Sequence, residues 1–213
     1  EVTETDVPED PAEPTGTDIP EEPTTRTLSF VGDATVFATQ TAIDLLSFCN
    51  TVVPEGYAYS FAKYGFEVLA QNHFDKAAGD TSHTSAYTLG HGTVTVAGEE
   101  RDAYLLAVRY THEGEWASNF DIQPSRNYEN VYAENFYLTA MDVWDGVKDL
   151  IDTSNDPVII VTGHSRGAAT ANLLGLLMNR AAIVSTSDLY VYTFATPRTL
   201  KPATVTDCDC PNV

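Results

Sequence analysis

The sequence predicts an α/β fold, a three-layer sandwich whose central sheet is parallel and whose early edge is antiparallel. Three observations carry that expectation. Two apolar segments around residues 87–96 and 103–109 flank a polar turn, which reads as an antiparallel pair. From residue 136 onward, helical and strand patterns alternate. Between them, the β-branched run 157–162 passes through Gly163-His164-Ser165-Arg166-Gly167 into a segment rich in Ala and Leu. That is the pattern of a buried strand, a sharp turn and a helix.

The elements follow in order. Residues 1–26 carry nine acidic side chains against Arg26 alone, among prolines and threonines, and are expected to form a disordered leader. Residues 27–213 are then one domain. The pattern over 28–53 is helical from about Asp33, with Phe37, Ile43, Leu46 and Phe48 as expected core positions. Residues 55–72 read as a helix and a short strand near Phe66 and Val68. The strands 87–96 and 103–109 follow, reversed by the turn 98–102. A loop from Tyr110 to about Glu134 precedes a helix over 135–151, with Tyr137, Met141, Trp144, Val147 and Ile151 spaced at three and four. The strand 157–162, a helix to about Arg180 and the strand 189–194 complete the pattern. In such sheets chemistry gathers at the carboxyl ends of the strands, where Ser165 falls.

The net charge of −20 divides into −8 on residues 1–26, nine acids less one base, which leaves −12 on the domain. An acidic domain argues against nucleic acid and against electrostatic docking on anionic lipid. No apolar run has the length of a membrane span. A Thr/Pro/Glu-rich leader of this kind often separates a bacterial export signal or lipid anchor from an enzyme domain, so a secreted or cell-surface location is expected. Cys208 and Cys210 are set too close for an easy mutual bridge, and Cys49 makes the count odd. No metal-binding pattern appears.

Ser165 is a candidate nucleophile. The turn forces the serine into strained backbone angles, and Gly163 and Gly167 sit where a Cβ would collide with the neighbouring strand and helix. The following helix directs its N-terminus at Ser165, which sets the N–H of Arg166 to stabilise an oxyanion. The bland alternative, an exposed serine on a tight turn, requires neither the buried strand nor the helix of small residues.

Val161-Thr162-Gly163-His164-Ser165-Arg166-Gly167-Ala168-Ala169 and, one helix later, Val191-Tyr192-Thr193-Phe194-Ala195-Thr196-Pro197-Arg198 together resemble the class 3 lipases of the α/β-hydrolase fold. Upstream, Val108-Arg109-Tyr110-Thr111 followed by Glu115-Trp116-Ala117-Ser118-Asn119-Phe120-Asp121 is similar to the family's strand end and Trp-containing segment, closest to bacterial members. The resemblance spans about residues 40–200 and implies an acyl-ester or lipid hydrolase without cofactor or metal. It implies Ser165 as nucleophile, the Arg166 N–H as one oxyanion donor and Thr111 as the second, with Gly163, His164 and Gly167 supporting the turn. Tyr110 stands where the family has glycine. Trp116 and Phe120 fall where the family carries its lid. They are apolar residues of a mobile cover making transient contact with a lipid interface, or core residues anchoring a long loop, and core is favoured.

A serine hydrolase of this fold needs an acid and then a histidine after the serine. His73, His83, His91, His112 and His164 all precede Ser165, and the carboxylates after it are Asp188, Asp207 and Asp209. Asp188 opens a strand at the wrong end, and Asp207 and Asp209 follow too soon after the Thr196-Pro197-Arg198 turn. The expectation is a chain that stops early, inactive as 213 residues and active when continued past Val213. Acyl transfer or peptide hydrolysis shares the same elbow. A non-catalytic binding protein that keeps the fold without its triad is the reading from another class.

Overall fold

The computed structural model describes residues 25–34, 36–75, 83–111 and 132–199. Among these residues six strands, β1 (Ser29–Phe30), β2 (Glu67–Asn72), β3 (Tyr87–Val96), β4 (Glu99–Val108), β5 (Val158–His164) and β6 (Leu189–Phe194), form one sheet. The described helices are α1 (Thr39–Ser47), α2 (Pro54–Lys63), α3 (Glu134–Val147) and α4 (Arg166–Arg180). The sheet order is β1-β3-β4-β5-β6, with β2 also paired to β3. β4, β5 and β6 run parallel, while β3 is antiparallel to both β2 and β4. The expected parallel centre with an antiparallel early edge is therefore present.

The parallel strands read as continuous apolar runs because helices cover both faces. On one face Leu106, Val108, Ile159 and Val161 pack with Phe136, Ala140 and Val143 of α3 and Ala169 and Leu173 of α4. On the other, Leu105, Ala107, Val158 and Ile160 pack with Leu45 and Phe48 and with Tyr57 and Phe61 of α2. Alternate residues of one strand thus serve two cores.

The hairpin between β3 and β4 is tighter than the turn expected over 98–102. Val96 pairs with Glu99, so only Ala97 and Gly98 turn, with φ of 51° and 89°. Positive φ at both central positions matches the right-handed twist of the flanking strands. The charged stretch after Gly98 belongs to β4. Arg101 reaches Asp188 at 3.2 Å, and Asp102 pairs with His91 at 2.7 Å.

α1 is shorter than the helical pattern and turns a different face inward. Thr41, Ala42 and Leu45 are buried, followed by Phe48, whereas Phe37 and Ile43 are 71% and 57% exposed. Thr41 Oγ1 donates to the Ser29 carbonyl at 2.6 Å, which draws the small-residue face of α1 toward β1. The expected core positions Phe37 and Ile43 are thereby corrected, while Phe48 is fully buried. Leu45→Ala should cost about 2–5 kcal/mol and Ile43→Ser within about 0.5 kcal/mol, read from urea midpoints. Comparable losses for the two would return Ile43 to the core.

α3 stops at Val147, and a single 3₁₀ turn, Lys148–Leu150, carries the chain toward the buried Ile151. The leader lies outside the described residues except for Thr25 and Arg26, whose N–H donates to the Lys63 carbonyl at 2.8 Å.

Candidate active site

β5 is buried from Val158 to Gly163, and the next two residues, His164 and Ser165, are half-buried at its carboxyl end. Ser165 has φ 53° and ψ −119° and lies between β5 and the first residue of α4. A non-glycine residue at positive φ costs on the order of 1–3 kcal/mol unless its surroundings compel it. Here they do. The Ser165 N–H donates to the carbonyl of Phe194, the last residue of β6, at 2.9 Å, and its own carbonyl accepts the Ala169 N–H at 3.1 Å.

The flanking glycines allow the turn to close. A Cβ on Gly163 would lie 2.4 Å from the Gly167 carbonyl oxygen. A Cβ on Gly167 would lie 2.3 Å from the Val108 oxygen and 2.6 Å from that of Arg109. The start of α4 is therefore pressed against the end of β4, with nothing but hydrogen between the backbones. Arg166 is the first residue of α4, so its N–H is among the donors a helix leaves at its N-terminus.

The parallel register of β4 and β5 ends with Val108 opposite Gly163. Thr111 and Ser165 then follow at the same end of the sheet. The Tyr110 ring meets the His164 ring edge to face at a centroid distance of 5.9 Å. Trp116, Phe120, His112, Asp207 and Asp209 lie outside the described residues, as do Cys208 and Cys210.

Besides His164 of the turn, three described histidines have polar partners. His73 Nε2 is 2.9 Å from Asp142, His91 Nε2 is 2.7 Å from Asp102, and His83 Nδ1 is 2.9 Å from Asn135 Oδ1. Asp188 pairs with Arg101, near the amino end of β4 and far along the strand from the Ser165 end. Among the described residues, no group of three or more His, Cys, Asp or Glu could hold a metal ion. Among them, too, no helix is long and apolar enough to cross a membrane.

Two features near the elbow were not expected from the sequence. One is the burial of both Arg109 and Arg166, each 1% exposed. The other is Cys49, buried with its Sγ 3.7 Å from Oγ1 of Thr162, which donates to the Tyr192 carbonyl. Burial pushes the Cys49 thiol up to about 11 from its usual 9.0, with the Thr162 contact opposing in part. At pH 8 that leaves about one hundredth of the ordinary thiolate, each unit being tenfold. Alkylation of the Cys49 peptide should be at least about a hundredfold slower in the native than in the unfolded chain, followed by mass spectrometry. Equal rates would contradict the burial.

Residues 105–209 match the class 3 lipase family. The matched segment contains the end of β4, from Leu105 to Val108, together with α3, β5, the Ser165 turn, α4 and β6. Comparison with the curated proteins finds no matching sequence. Among solved structures, the chain is similar to the Rhizomucor miehei triacylglyceride lipase, at 20% identity and TM-score 0.54, covering 78% of this chain and 66% of that one. It is similar to the lipase of Rhizopus microsporus var. chinensis at 18% identity and TM-score 0.54, covering 93% and 70%. A triacylglycerol lipase described as having a serine protease triad at its catalytic centre aligns at 20% identity and TM-score 0.50, covering 78% and 66%. The chain thus spans slightly under two thirds of the length of two of these lipases. At such identities the likeness establishes the fold, that of the α/β-hydrolase lipases.

Proposed function

We propose that the chain carries the nucleophile and oxyanion site of a carboxylic-ester hydrolase of class 3 lipase type, bacterial in flavour, acting on neutral acyl esters or lipids through an acyl-Ser165 intermediate. The single observation behind the reading is Ser165 itself. It stands at φ 53° and ψ −119° between a buried parallel strand and a helix N-terminus, within the segment that matches the lipase family.

In this mechanism Ser165 Oγ attacks the ester carbonyl carbon and passes its proton to a base. The negative charge arrives on the carbonyl oxygen, where the N–H of Arg166 and a donor from Thr111 meet it. Collapse expels the alcohol, which takes up a proton, and leaves the acyl-serine. Water then repeats the addition and releases the acid. The base and its acid partner come from outside the described residues, because His73 and His91 are paired with Asp142 and Asp102, His83 is engaged with Asn135 and His164 belongs to the turn. An exported or cell-surface location accords with the acidic Thr/Pro-rich leader, and the −12 on the domain favours uncharged over anionic substrates.

The engagement of those histidines also supports a second reading, a binding protein of this fold without catalysis. Stopped-flow hydrolysis of p-nitrophenyl butyrate by the full-length gene product containing these 213 residues separates the two. A burst of about one p-nitrophenolate per chain followed by turnover supports the hydrolase, since acyl-enzyme accumulation gives that signature. Absence of any release supports the binding protein. Preference for an anilide over the ester would redirect the assignment to a peptidase, and transfer to added alcohol in place of hydrolysis to an acyltransferase.

A further inference from the structure

The proposed chemistry uses only the backbone of Arg166, yet its side chain is among the largest fully buried ones described. Nε donates to Ser85 Oγ at 3.2 Å. Nη2 donates to the Thr84 carbonyl at 3.3 Å and to Thr139 Oγ1 at 3.4 Å. Thr139 in turn donates to the Asn135 carbonyl at 2.8 Å, and Asn135, itself fully buried, meets His83 through its side chain. The guanidinium therefore joins three separate pieces of chain: the start of α4, the first turns of α3 and the segment leading into β3.

We propose that the Arg166 side chain is a positioning residue that sets the direction of its own backbone N–H, so that this donor and the one from Thr111 converge on one oxyanion. The proposal rests on the ester-hydrolase reading. Its physical basis is the division of restraints at the head of α4. Gly167 lets the head of α4 lie so close to β4 that a Cβ there would fall 2.3 Å from the Val108 oxygen, which leaves no room for further movement toward the strand. It does nothing against rotation of the first turn away from the strand. A planar guanidinium anchored at three oxygens resists that rotation, because its donors form a rigid fork. Oxyanion donors are effective only within about 2.7–3.1 Å of the developing charge, so a small rotation is felt in the transition state more than in substrate binding. A buried arginine is an expensive way to obtain stability alone.

The test uses the full-length gene product. Arg166→Met is the direct variant, and Thr139→Val and Ser85→Ala each remove one anchor at lower risk to folding. Thr139→Ser retains the hydroxyl. Steady-state kinetics on p-nitrophenyl butyrate are read beside the inhibition constant of an alkylboronic acid, whose tetrahedral serine adduct occupies the oxyanion site. Thr139→Val and Ser85→Ala should lower kcat by about tenfold with KM within about twofold, and weaken boronate binding by a similar factor. Thr139→Ser should recover most of both. If kcat and boronate affinity stay within about twofold while only the melting temperature falls, the side chain is merely structural and the inference is overturned. A wild type without activity overturns the hydrolase reading and this inference with it. An active wild type with unaffected variants overturns the inference alone.

Discussion

Replacing Ser165 with alanine in the full-length gene product should lower kcat for p-nitrophenyl butyrate by on the order of a millionfold, with KM little changed. The size follows from the scheme. Without Oγ there is no acyl-enzyme, and the residual rate is only what the oxyanion donors and substrate positioning offer to water, commonly 10³–10⁴ over the uncatalysed reaction. Stability should hardly change. Ser165 is held at φ 53° by its flanking strand and helix. Alanine gains nothing from that strain and loses no hydrogen bond among the described residues, where the Ser165 contacts are made by its N–H and carbonyl. The urea midpoint should therefore stay within about 0.5 kcal/mol of wild type. Loss of activity accompanied by unfolding would point to a structural serine.

The second large effect is expected at Gly167. Alanine there places a Cβ 2.3 Å from the Val108 oxygen and 2.6 Å from that of Arg109. Both are backbone atoms of the β4 end, and neither is the free tip of a flexible side chain. The head of α4 has to retreat by roughly the shortfall to van der Waals contact, carrying the Arg166 N–H away from Thr111. Gly167→Ala should cost about 1–3 kcal/mol of stability as overpacking, and about 10²–10³ in kcat as the loss of one oxyanion donor. Urea denaturation and initial rates at saturating ester measure the two. A variant within threefold of wild-type kcat would show that the close approach of α4 to β4 is irrelevant to catalysis.

Much of this arrangement was legible because it is local. Strand, turn and helix around Ser165 are contiguous in sequence, so Gly163 and Gly167 announce the clash that the backbone avoids. β6 could likewise be read from its own run of Tyr, Val and Phe, and α3 from its three-and-four spacing. Errors arose where a segment's environment is set by distant chain. The charges at Glu99, Glu100, Arg101 and Asp102 suggest a turn, but Arg101 and Asp102 find partners in Asp188 and His91 and remain in β4. Phe37 and Ile43 suggest a core face, but Thr41 and Ala42 take it because α1 lies close against the Ser29 carbonyl. The Arg166 anchors were invisible for the same reason, as Ser85 and Thr139 stand 81 and 27 residues away. One signal was available: a charged residue inside Gly-x-Ser-x-Gly, at the head of an otherwise apolar helix, has to find polar company in the interior.

The nucleophilic role of Ser165 is tested most directly by the mass of its peptide after the full-length gene product meets a p-nitrophenyl alkylphosphonate. Attack by Oγ on phosphorus expels p-nitrophenolate and leaves a stable phosphonyl-serine. Release of about one p-nitrophenolate per chain, with the added mass on the peptide containing Ser165 and none in Ser165→Ala, is the predicted result. No adduct, or an adduct at another residue that persists in Ser165→Ala, would contradict it.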